Sequence, residues 1–481
     1  MIQSEARGIA VLDVGATNTR LMLFDPRGQV VAETRSASPH RPGPLPGPLP
    51  GPPPGPPPGP PYAALDPEPL LDFAAETLPA FDRELPVDAV VPCAHGSALA
   101  CLGSDGRLAL PVMDYEAEPP PEIREAYAEV APAFEEVFAP TNPMALTLGL
   151  QLFWQEAVLP EAFARVATIL PWGQYFALRL GGRAVSEVTA LGAQTHLWDV
   201  RAQHFSSLAR ARGWDRRFAP LARAWDEIGT LEPRFRGGGF RGRGRVLAGI
   251  HDSNANYLRY LAAGLTPFTL LSSGTWIIGF DTEAEIAGLD PRRDTATNSD
   301  IFGRPVACCR FMGGRELEIL SEGAPADAAT PAVVRDLVAR GSYALPSFTD
   351  SGGPLPGQGG RGRIEGPAPR SPAERAALAG LYCALMTSES LDVLGARSRI
   401  LVDGPFAENA VFLGLLAALR PAQSVLAARA GEGTAAGAAL LAAIGSDGRL
   451  PGIAIDLTEV RRLEIPGLAA YRDAWRRLSQ R

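Results

Sequence analysis

The chain contains no lysine: all 45 basic residues among its 481 are arginine. This absence excludes several classes of mechanism. A P-loop ends in Gly-Lys-Ser/Thr, and the protein-kinase signature includes a strand lysine that contacts the phosphates. Schiff-base and pyridoxal-phosphate chemistry require a lysine amine. If the protein handles phosphate groups, it must bind them with backbone N–H groups, hydroxyls, a metal ion or arginine.

Basic stripes and long apolar runs are lacking as well. The formal net charge is −8, whereas proteins that bind nucleic acid or a membrane surface carry basic patches. No apolar run approaches the ~18 residues of a transmembrane helix, and the polar segment 1–8 does not resemble a signal peptide. The five cysteines show no Cys-x-x-Cys spacing, which favours buried, reduced thiols. We therefore expect a cytoplasmic protein without nucleic-acid or membrane partners.

Proline, in contrast, is in excess, with 46 residues against a usual share of ~5%. Fourteen of them lie in a Pro/Gly-rich loop at 39–61, where glycine recurs at every fourth residue. The collagen period is three, and proline has no N–H for a helix or a sheet. The stretch therefore predicts a solvated polyproline-II loop. An inert spacer is the favoured interpretation, and a docking site for an SH3-like domain is the alternative.

Two segments far apart in the chain follow one pattern. Residues 11–25 read VLDVGATNTRLMLFD, and residues 270–281 read LLSSGTWIIGFD. Each is typical of an apolar strand, a tight Gly/Thr turn and a second apolar strand. Either one alone is ordinary hairpin chemistry. Together they predict two halves built on one plan, whose turn N–H groups and Thr hydroxyls can bind phosphate without lysine.

With two further motifs, the sequence resembles the FGGY family of carbohydrate kinases. DVGATNTR at 13–20 resembles the family's first phosphate motif, and LLSSGTW at 270–276 resembles its second. GIHDSNAN at 249–256 resembles the catalytic-base motif, and LVDGPFAEN at 401–409 resembles the adenosine motif. The resemblance covers roughly residues 8–445. It implies an α/β, two-domain actin-like ATPase (ribonuclease H-like) fold with a catalytic cleft between the domains.

The resemblance also implies a domain division and an activity. We expect an N-terminal sugar-binding domain over residues 1–245 and a C-terminal nucleotide-binding domain over residues 246–481. The implied reaction uses ATP and Mg²⁺ to phosphorylate a terminal hydroxyl of a small ketose, such as L-rhamnulose, L-fuculose or a ketopentose like xylulose. The alternatives are a kinase of a polyol such as glycerol, a non-sugar actin-like ATPase, and a binding protein without turnover. The sequence leaves the oligomeric state open, with a homodimer among the options.

The resemblance assigns roles residue by residue. Asp252, after an apolar stretch at 246–250, would take the proton from the sugar hydroxyl; its other role is a helix N-cap, and both can hold. Asp13 would hold Mg²⁺ through water. The other residues implied in nucleotide binding are Gly15, Thr17, Asn18, Thr19, Gly274, Thr275, Gly404 and Asn409. The residues implied in sugar binding are His95, Asp114, Glu116 and His251; the alternative role of His251 is to orient a loop.

Three positions keep alternative interpretations. Arg20 either neutralises charge near the phosphates or faces outward from its strand. Asn409 lies either beside the purine or ribose, or on a helix surface. Pro405 departs from the family's usual Gly-Gly-Ala pattern and removes one N–H, which predicts altered nucleotide affinity or base preference.

Overall fold

The computed structural model describes residues 7–41, 61–351, 353–429 and 433–480. Most of the predicted Pro/Gly-rich loop, residues 42–60, lies outside the described residues. The chain divides into two compact units. The first comprises Met1–Ala262, Asn298–Pro305 and Thr434–Gly452, and the second comprises Ala263–Thr297, Val306–Gly433 and Ile453–Arg481.

The bounds of these units differ from a single division after residue 245. The strand that begins at Arg245 pairs with strand Val87–Ala94, so it continues the sheet of the first unit. Two later segments, Asn298–Pro305 and Thr434–Gly452, also belong to the first unit. No local sequence pattern predicts this tertiary packing. The assignment of one half to the sugar and the other to the nucleotide stays a prediction.

The elements up to residue 262 are as follows. The strands are β1 (Gly8–Val14), β2 (Asn18–Phe24), β3 (Val30–Ala37), β4 (His40–Arg41), β5 (Ala64–Leu65), β6 (Val87–Ala94), β7 (Leu99–Leu102), β8 (Val112–Met113), β9 (Thr168–Pro171), β10 (Trp198–Asp199), β11 (His204–Phe205), β12 (Glu227–Thr230), β13 (Arg245–Leu247) and β14 (Ile250–His251). The helices are α1 (Glu68–Glu84), α2 (Pro121–Ala128), α3 (Phe134–Val137), α4 (Leu148–Val158), α5 (Pro160–Ala164), α6 (Trp172–Leu180), α7 (Val188–Leu191), α8 (Ser207–Ala211), α9 (Pro233–Arg236) and α10 (Asp252–Ala262).

The main sheet of the first unit has the strand order β12–β13–β6–β1–β2–β3, with β14 also paired to β6. β1, β2 and β3 are antiparallel neighbours, whereas β6 runs parallel to β1, and β14 runs parallel to β6. The carboxyl ends of β1, β6 and β14 therefore share one edge of the sheet. In register, Cys93 lies between Asp13 on one side and Ile250 on the other.

Both faces of this sheet are buried at β1 and β6, which explains the near-continuous apolar runs of these two strands. Ala10, Leu12 and Val14 pack with α1 and α6 in one apolar cluster. Val11, between them in sequence, packs into a second cluster on the opposite face, with residues of α10. The burial of alternate residues on both sides fixes the strand register, because a one-residue slip would exchange the two faces.

The remaining elements follow in chain order. The strands are β15 (Phe268–Ser273), β16 (Ile277–Asp281), β17 (Thr295–Ser299), β18 (Pro305–Phe311), β19 (Tyr343–Leu345), β20 (Arg363–Glu365), β21 (Arg399–Asp403), β22 (Val425–Ala428) and β23 (Leu457–Glu459). The helices are α11 (Gly313–Ser321), α12 (Pro331–Arg340), α13 (Pro372–Leu394), α14 (Ala410–Leu419), α15 (Gly433–Ala439) and α16 (Leu468–Ser479), with short 3₁₀ turns at Ile286–Gly288, Pro291–Arg293, Ala326–Ala328, Pro405–Glu408 and Leu440–Ala443.

The second large sheet repeats the plan of the first. Its order is β17–β18–β16–β15–β21–β22–β23. β15 and β16 form an antiparallel hairpin like that of β1 and β2, and β21 runs parallel to β15 as β6 does to β1. The prediction of two halves on one plan is thereby confirmed.

Helix α13 has the length and composition of a membrane span, with a window of mean hydropathy 1.2. In the part of the chain that the structure describes, it alone passes that test, and 89% of the window is buried. Its residues form the middle of the apolar core of the second unit. All five cysteines are buried free thiols, as the sequence predicts.

Two apolar stretches form strands that are shorter than the stretches themselves. The stretch 246–250 forms two short strands, β13 and β14, separated at Gly249, whose φ is +85°. The break lets β14 pair with the end of β6. Within the apolar stretch 108–113, only β8 forms a strand, and it pairs with β5.

The contact between α15 and α10 gives a test of the discontinuous first unit. A methyl group built on Gly437 would overlap the carbonyl oxygen of Ala255. Alanine normally stabilises a helix relative to glycine. For Gly437→Ala we expect the opposite effect on stability. We expect it to lower the free energy of unfolding by about 1–3 kcal/mol through overpacking, measured by thermal and denaturant unfolding.

The matched control is Gly452→Ala, because nothing lies within 4 Å of a methyl group at that position. We expect this control to unfold as the parent protein does. A Gly437→Ala variant as stable as the parent would contradict the packing of α15 on α10.

Candidate active site

Polar side chains predicted to be functional lie at or near the ends of three neighbouring strands of the first unit. Asp13 lies near the end of β1, His95 follows β6, and His251 ends β14. Burial raises the pKa of the Cys93 thiol, and the charges of Asp13 and Asp252 raise it further. Both carboxylates therefore lie within electrostatic range of this one thiol at the sheet edge.

The turn between β1 and β2 has an open side and a buried side. The N–H of Gly15 donates to the carbonyl of Asn18 at 3.1 Å, and the side chains of Thr17 and Asn18 are exposed. Thr19, in contrast, is fully buried, and its hydroxyl lies 3.0 Å from that of Ser38. Thr17 and Asn18 therefore present their side chains to a ligand, whereas the Thr19 hydroxyl serves the turn itself.

Asp13 is paired across the hairpin with Arg20. The two residues are register partners, and Nη2 of Arg20 donates to Oδ2 of Asp13 at 2.8 Å. Arg20 thus faces its own hairpin's carboxylate. Across the described residues, no group of three or more His, Cys, Asp or Glu side chains is placed to hold a metal ion. A cation at Asp13 would therefore take its other ligands from water or from a bound phosphate.

Asp252 begins α10 and is held through one carboxylate oxygen. Its Oδ1 accepts from Nε2 of His251 at 3.0 Å and from the backbone N–H of Ser253 at 2.6 Å. The Ser253 hydroxyl donates to the same oxygen at 3.2 Å. Burial raises the pKa of Asp252, but the charge and hydrogen bond of His251 outweigh burial and leave the pKa below its ordinary value. The carboxylate is ionised, and its side chain is 32% exposed.

His251 is enclosed, with a side chain 10% exposed. Its Nδ1 lies 2.6 Å from Oδ1 of Asn254, and the Nδ2 of Asn254 donates to the carbonyl of Ser299. Burial lowers the pKa of His251, but Asp252 and Asn254 raise it by more, so the net shift is upward. Both ring nitrogens are thus occupied by protein groups in this structure.

A buried acid lies behind His251. Glu187 is 0% exposed, and its carboxylate accepts from the Thr189 hydroxyl at 2.5 Å and from the N–H groups of Thr189 and Ala190. The Thr189 hydroxyl in turn accepts from the backbone N–H of His251 at 3.1 Å. Burial raises the pKa of Glu187 to about 7, against the opposing effect of these hydrogen bonds. This chain of contacts holds the backbone at His251, next to Asp252.

His95 is neutral at physiological pH, because burial lowers its pKa to about 4. Its Nδ1 accepts from the backbone N–H of Ser97 at 3.4 Å, which places the ring proton on Nε2. The ring packs edge-on against Tyr115, with 5.6 Å between centroids. Charges on Asp252, His251, Asp114 and His40 all affect its pKa, so His95 lies among these groups.

Asp114 is held by a residue from the segment predicted to be an inert loop. Nδ1 of His40 lies 2.6 Å from Oδ2 of Asp114, and its Nε2 lies 3.0 Å from the carbonyl of Ala16 in the first turn. The other carboxylate oxygen of Asp114 accepts from the N–H of Glu116 at 3.0 Å. Glu116 itself is exposed. His40 thus connects the turn after β1 with one of the predicted sugar ligands.

In the second unit, the turn after β15 is joined to the start of α11. Gly274 and Thr275 are exposed at this turn. The carbonyl of Thr275 accepts from the N–H groups of Gly314 and Arg315 at 3.1 and 3.3 Å. The helix beginning thereby fixes the turn predicted to bind phosphate.

The adenosine motif lies beside that turn, because β15 and β21 are parallel neighbours with Ser272 opposite Asp403. The Ser273 hydroxyl donates to the carbonyl of Asp403 at 2.5 Å and accepts from the N–H of Phe406 at 3.1 Å. Pro405 is the first residue of a 3₁₀ turn, a position whose N–H has no intrahelical partner in any case. The proline therefore costs this turn no internal hydrogen bond.

Asn409 is a helix N-cap. It is buried, and its Oδ1 accepts from the N–H of Phe412 at 3.0 Å at the start of α14. The alternative of a helix-surface asparagine is thus replaced by a capping role. Contact between its amide and a nucleotide stays a prediction.

Sequence reasoning missed four residues that support the site. His40 lies at the edge of the proline-rich stretch, which was discounted as a whole. Glu187 and Thr189 belong to no motif, because their partners are local backbone groups. The His-x-x-Asn spacing within GIHDSNAN gave no signal that Asn254 would bond to His251, since that contact depends on the position of Ser299.

Comparison with known proteins identifies the family. The profile of the carbohydrate kinase FGGY C-terminal domain matches residues 265–449. A carbohydrate kinase from Novosphingobium aromaticivorans has 34% identity and a TM-score of 0.84, with 99% of each chain covered. A search of curated proteins found no match.

Two more distant structures share the fold. Xylulose kinase from Rhodospirillum rubrum has 19% identity and a TM-score of 0.75, over 98% of this chain and 97% of that one. Plasmodium falciparum glycerol kinase with ADP has 11% identity and a TM-score of 0.69, over 99% and 93%.

A match from end to end at 34% identity, together with the matched C-terminal profile and the repeated sheet plan, leaves one assignment. The chain belongs to the FGGY family of carbohydrate kinases: it is an ATP-dependent sugar kinase with the two-domain actin-like ATPase fold.

Proposed function

We propose that the chain phosphorylates a terminal primary hydroxyl of a small ketose, with Asp252 as the general base. The arrangement of Asp252 carries this proposal. The carboxylate is ionised and partly exposed, and its three donors all contact Oδ1. Oδ2 is therefore the oxygen that accepts the proton of the sugar hydroxyl. The hydroxyl oxygen bonds to the γ-phosphorus, the bond from that phosphorus to the ADP oxygen breaks, and the hydroxyl proton passes to Oδ2.

The groups around His95 supply a binding surface for several hydroxyls. His95 offers a donor at Nε2, because Nδ1 accepts from Ser97. Asp114 and Glu116 offer acceptors, and a carboxylate oxygen can accept from more than one donor. Neutral His95 is suited to a neutral sugar, since it can pair with a hydroxyl without adding a charge that the substrate would have to compensate.

A ketose is favoured over glycerol by the sequence around these residues. His95-Gly96 resembles the sugar-binding stretch of xylulose kinases, and His251-Asp252 resembles the His-Asp pair of rhamnulose and fuculose kinases. The fold itself is common to xylulose kinase and glycerol kinase. The choice of substrate therefore depends on the side chains, and an assay over ketoses, aldoses and polyols decides it.

We assign nucleotide binding to turns whose N–H groups and hydroxyls replace lysine. In the first unit these groups belong to Gly15, Thr17 and Asn18. In the second unit they belong to Gly274 and Thr275, with the loop of Gly404 and Asn409 assigned to the nucleoside. Backbone N–H groups at turns bind phosphate oxygens without a side-chain charge.

The residues near Asp13 fit Mg²⁺ that arrives with a nucleotide. Mg²⁺ keeps several waters and is usually held by one or two carboxylates plus phosphate oxygens. Asp13 supplies one carboxylate, and within the described chain there is no larger cluster of ligating side chains. When bound, Mg²⁺ would neutralise the charge that develops on the phosphates.

Replacing the base tests the proposal. The parent protein should consume ATP rapidly with at least one ketose and only slowly with glycerol or without sugar. Asp252→Asn keeps the size and hydrogen-bonding shape of the side chain but removes the proton acceptor. We expect turnover to fall by about 10²–10⁴-fold, while calorimetry shows that the ketose still binds.

Two controls accompany this assay. Thermal unfolding of Asp252→Asn establishes that the variant is folded. Asp105→Asn tests an exposed carboxylate whose Oδ1 accepts from the backbone N–H of Arg107. Full activity in Asp252→Asn would show that another group is the base. Turnover with glycerol but with none of the ketoses would show that the substrate is a polyol.

Asn409 allows a cap and a nucleotide contact to be separated. Asn409→Ala removes the cap, and we expect it to lower stability by about 1 kcal/mol. Asn409→Asp keeps a capping oxygen but replaces the amide nitrogen, so we expect normal stability. If the amide donates to the nucleotide, both variants raise the KM for ATP, by about tenfold for one lost hydrogen bond. An unchanged KM in Asn409→Asp would restrict Asn409 to the capping role.

A further inference from the structure

The geometry points to His251 as a positioning residue that is held as an imidazolium, whose Nε2–H orients and charge-stabilises Asp252, rather than as a sugar ligand. This inference rests on the proposed role of Asp252 as the base. It replaces the role that the family resemblance implies for His251, namely contact with the sugar.

The hydrogen bonds around the ring require two protons on it. Nδ2 of Asn254 donates to the carbonyl of Ser299, which accepts only. That bond fixes the amide so that its oxygen, also an acceptor, faces Nδ1 of His251 at 2.6 Å. On the other side, Nε2 faces a carboxylate oxygen of Asp252 at 3.0 Å. Both ring nitrogens thus face acceptors, and only the doubly protonated ring donates to both.

The packing around the ring leaves it one position. A methyl group at Gly96 would lie 2.9 Å from Cδ2 and Nε2 of His251, so the absence of a side chain at Gly96 lets the ring lie over it. The backbone N–H of His251 is held by the Thr189 hydroxyl. The His-Gly pair at 95–96 thus has a structural reason: its glycine makes room for the histidine next to the base.

The charged and titratable groups that face His251 favour the protonated ring. Asp252 is in direct contact, and Glu187 acts through Thr189 and raises the pKa of His251 by its charge. His95 also lies within electrostatic range, and it is neutral because burial lowers its pKa to about 4. Two acidic side chains therefore favour protonation of the ring, and none of these neighbours is a cation that would oppose it.

A fixed imidazolium has two consequences for the base. Its Nε2–H donates to Oδ1 of Asp252, which leaves Oδ2 as the oxygen that accepts the proton. Its charge keeps the carboxylate ionised, which would otherwise be disfavoured by burial. The upward shift of the His251 pKa means that this charge is present below that pKa and is lost as pH rises through it. Activity should therefore decline on the alkaline side when His251 loses its proton.

Nitrogen NMR of the full-length protein tests the charge directly. The chain has five histidines, so labelling only histidine with ¹⁵N gives a spectrum that single substitutions can assign. At about pH 8, well above the ordinary histidine pKa of ~6.5, we expect both ring nitrogens of His251 to carry protons. The signal should vanish in His251→Gln, whose amide keeps a neutral donor.

The same spectrum contains an internal control. His196 accepts at Nδ1 from the Tyr127 hydroxyl at 2.8 Å and donates from Nε2 to the carbonyl of Ala139 at 3.0 Å. It should therefore show one protonated and one bare nitrogen. His40 faces a carboxylate and a carbonyl, so its signal must be assigned by His40→Gln. A singly protonated His251 ring at this pH would overturn the inference.

Kinetics separates a positioning role from a sugar contact. In His251→Gln we expect kcat to fall by about 100-fold, with the KM for the ketose changed by less than about threefold. The acid limb of the pH–rate profile should move to higher pH, because Asp252 loses the neighbouring charge, and the alkaline limb should disappear. A large rise in KM with an unchanged pH profile would instead make His251 a sugar ligand.

The failure of this inference is distinguishable from failure of the proposed function. In folded Asp252→Asn the ring loses its counter-charge, and we expect His251 to become singly protonated at about pH 8. Persistence of the doubly protonated ring in that variant would contradict the pairing with Asp252. Full turnover in the same variant would contradict only the role of Asp252 as the base.

Discussion

In the first unit's candidate site, Asp13, Asp114 and Asp252 each pair with a nitrogen of a basic side chain, and the proposed site depends on these pairs. Arg20 contacts Asp13, His40 contacts Asp114, and His251 contacts Asp252. Carboxylates that share a partly buried site raise one another's pKa, and a basic partner favours the charged form of each carboxylate. Because the chain has no lysine, arginine and histidine provide the compensation.

Strand topology places these pairs. The parallel arrangement of β1, β6 and β14 brings Asp13, His95 and His251 to one edge of a sheet, although the chain separates them widely. The second unit uses the same plan: β15 and β21 bring the second phosphate turn beside the adenosine motif, and the Ser273 hydroxyl ties the two together. In both units the loops that we assign to the site follow buried strands, and this scaffold positions them.

The sequence predicted which residues lie at the ends of strands, but not which residues contact them in the folded protein. The four motifs, the repeated plan and the family were predictable, since an apolar strand followed by a small-residue turn is a local pattern. His40 was missed because proline composition dominates its surroundings, and Glu187 because its partners are backbone groups. Thr19 was expected at phosphate, but strand alternation buries it. The return of the segment 434–452 to the first unit depends on the close approach of Gly437 to α10, which no periodicity encodes.

The most direct measurement is a crystal structure of the protein with the ketose that gives the fastest turnover. The account predicts the terminal hydroxyl of the sugar about 2.6–3.2 Å from Oδ2 of Asp252, with Nε2 of His251 still on Oδ1 and the other hydroxyls near His95 and Asp114. A terminal hydroxyl bound to the His251 ring, with Asp252 turned away from the sugar, would contradict it.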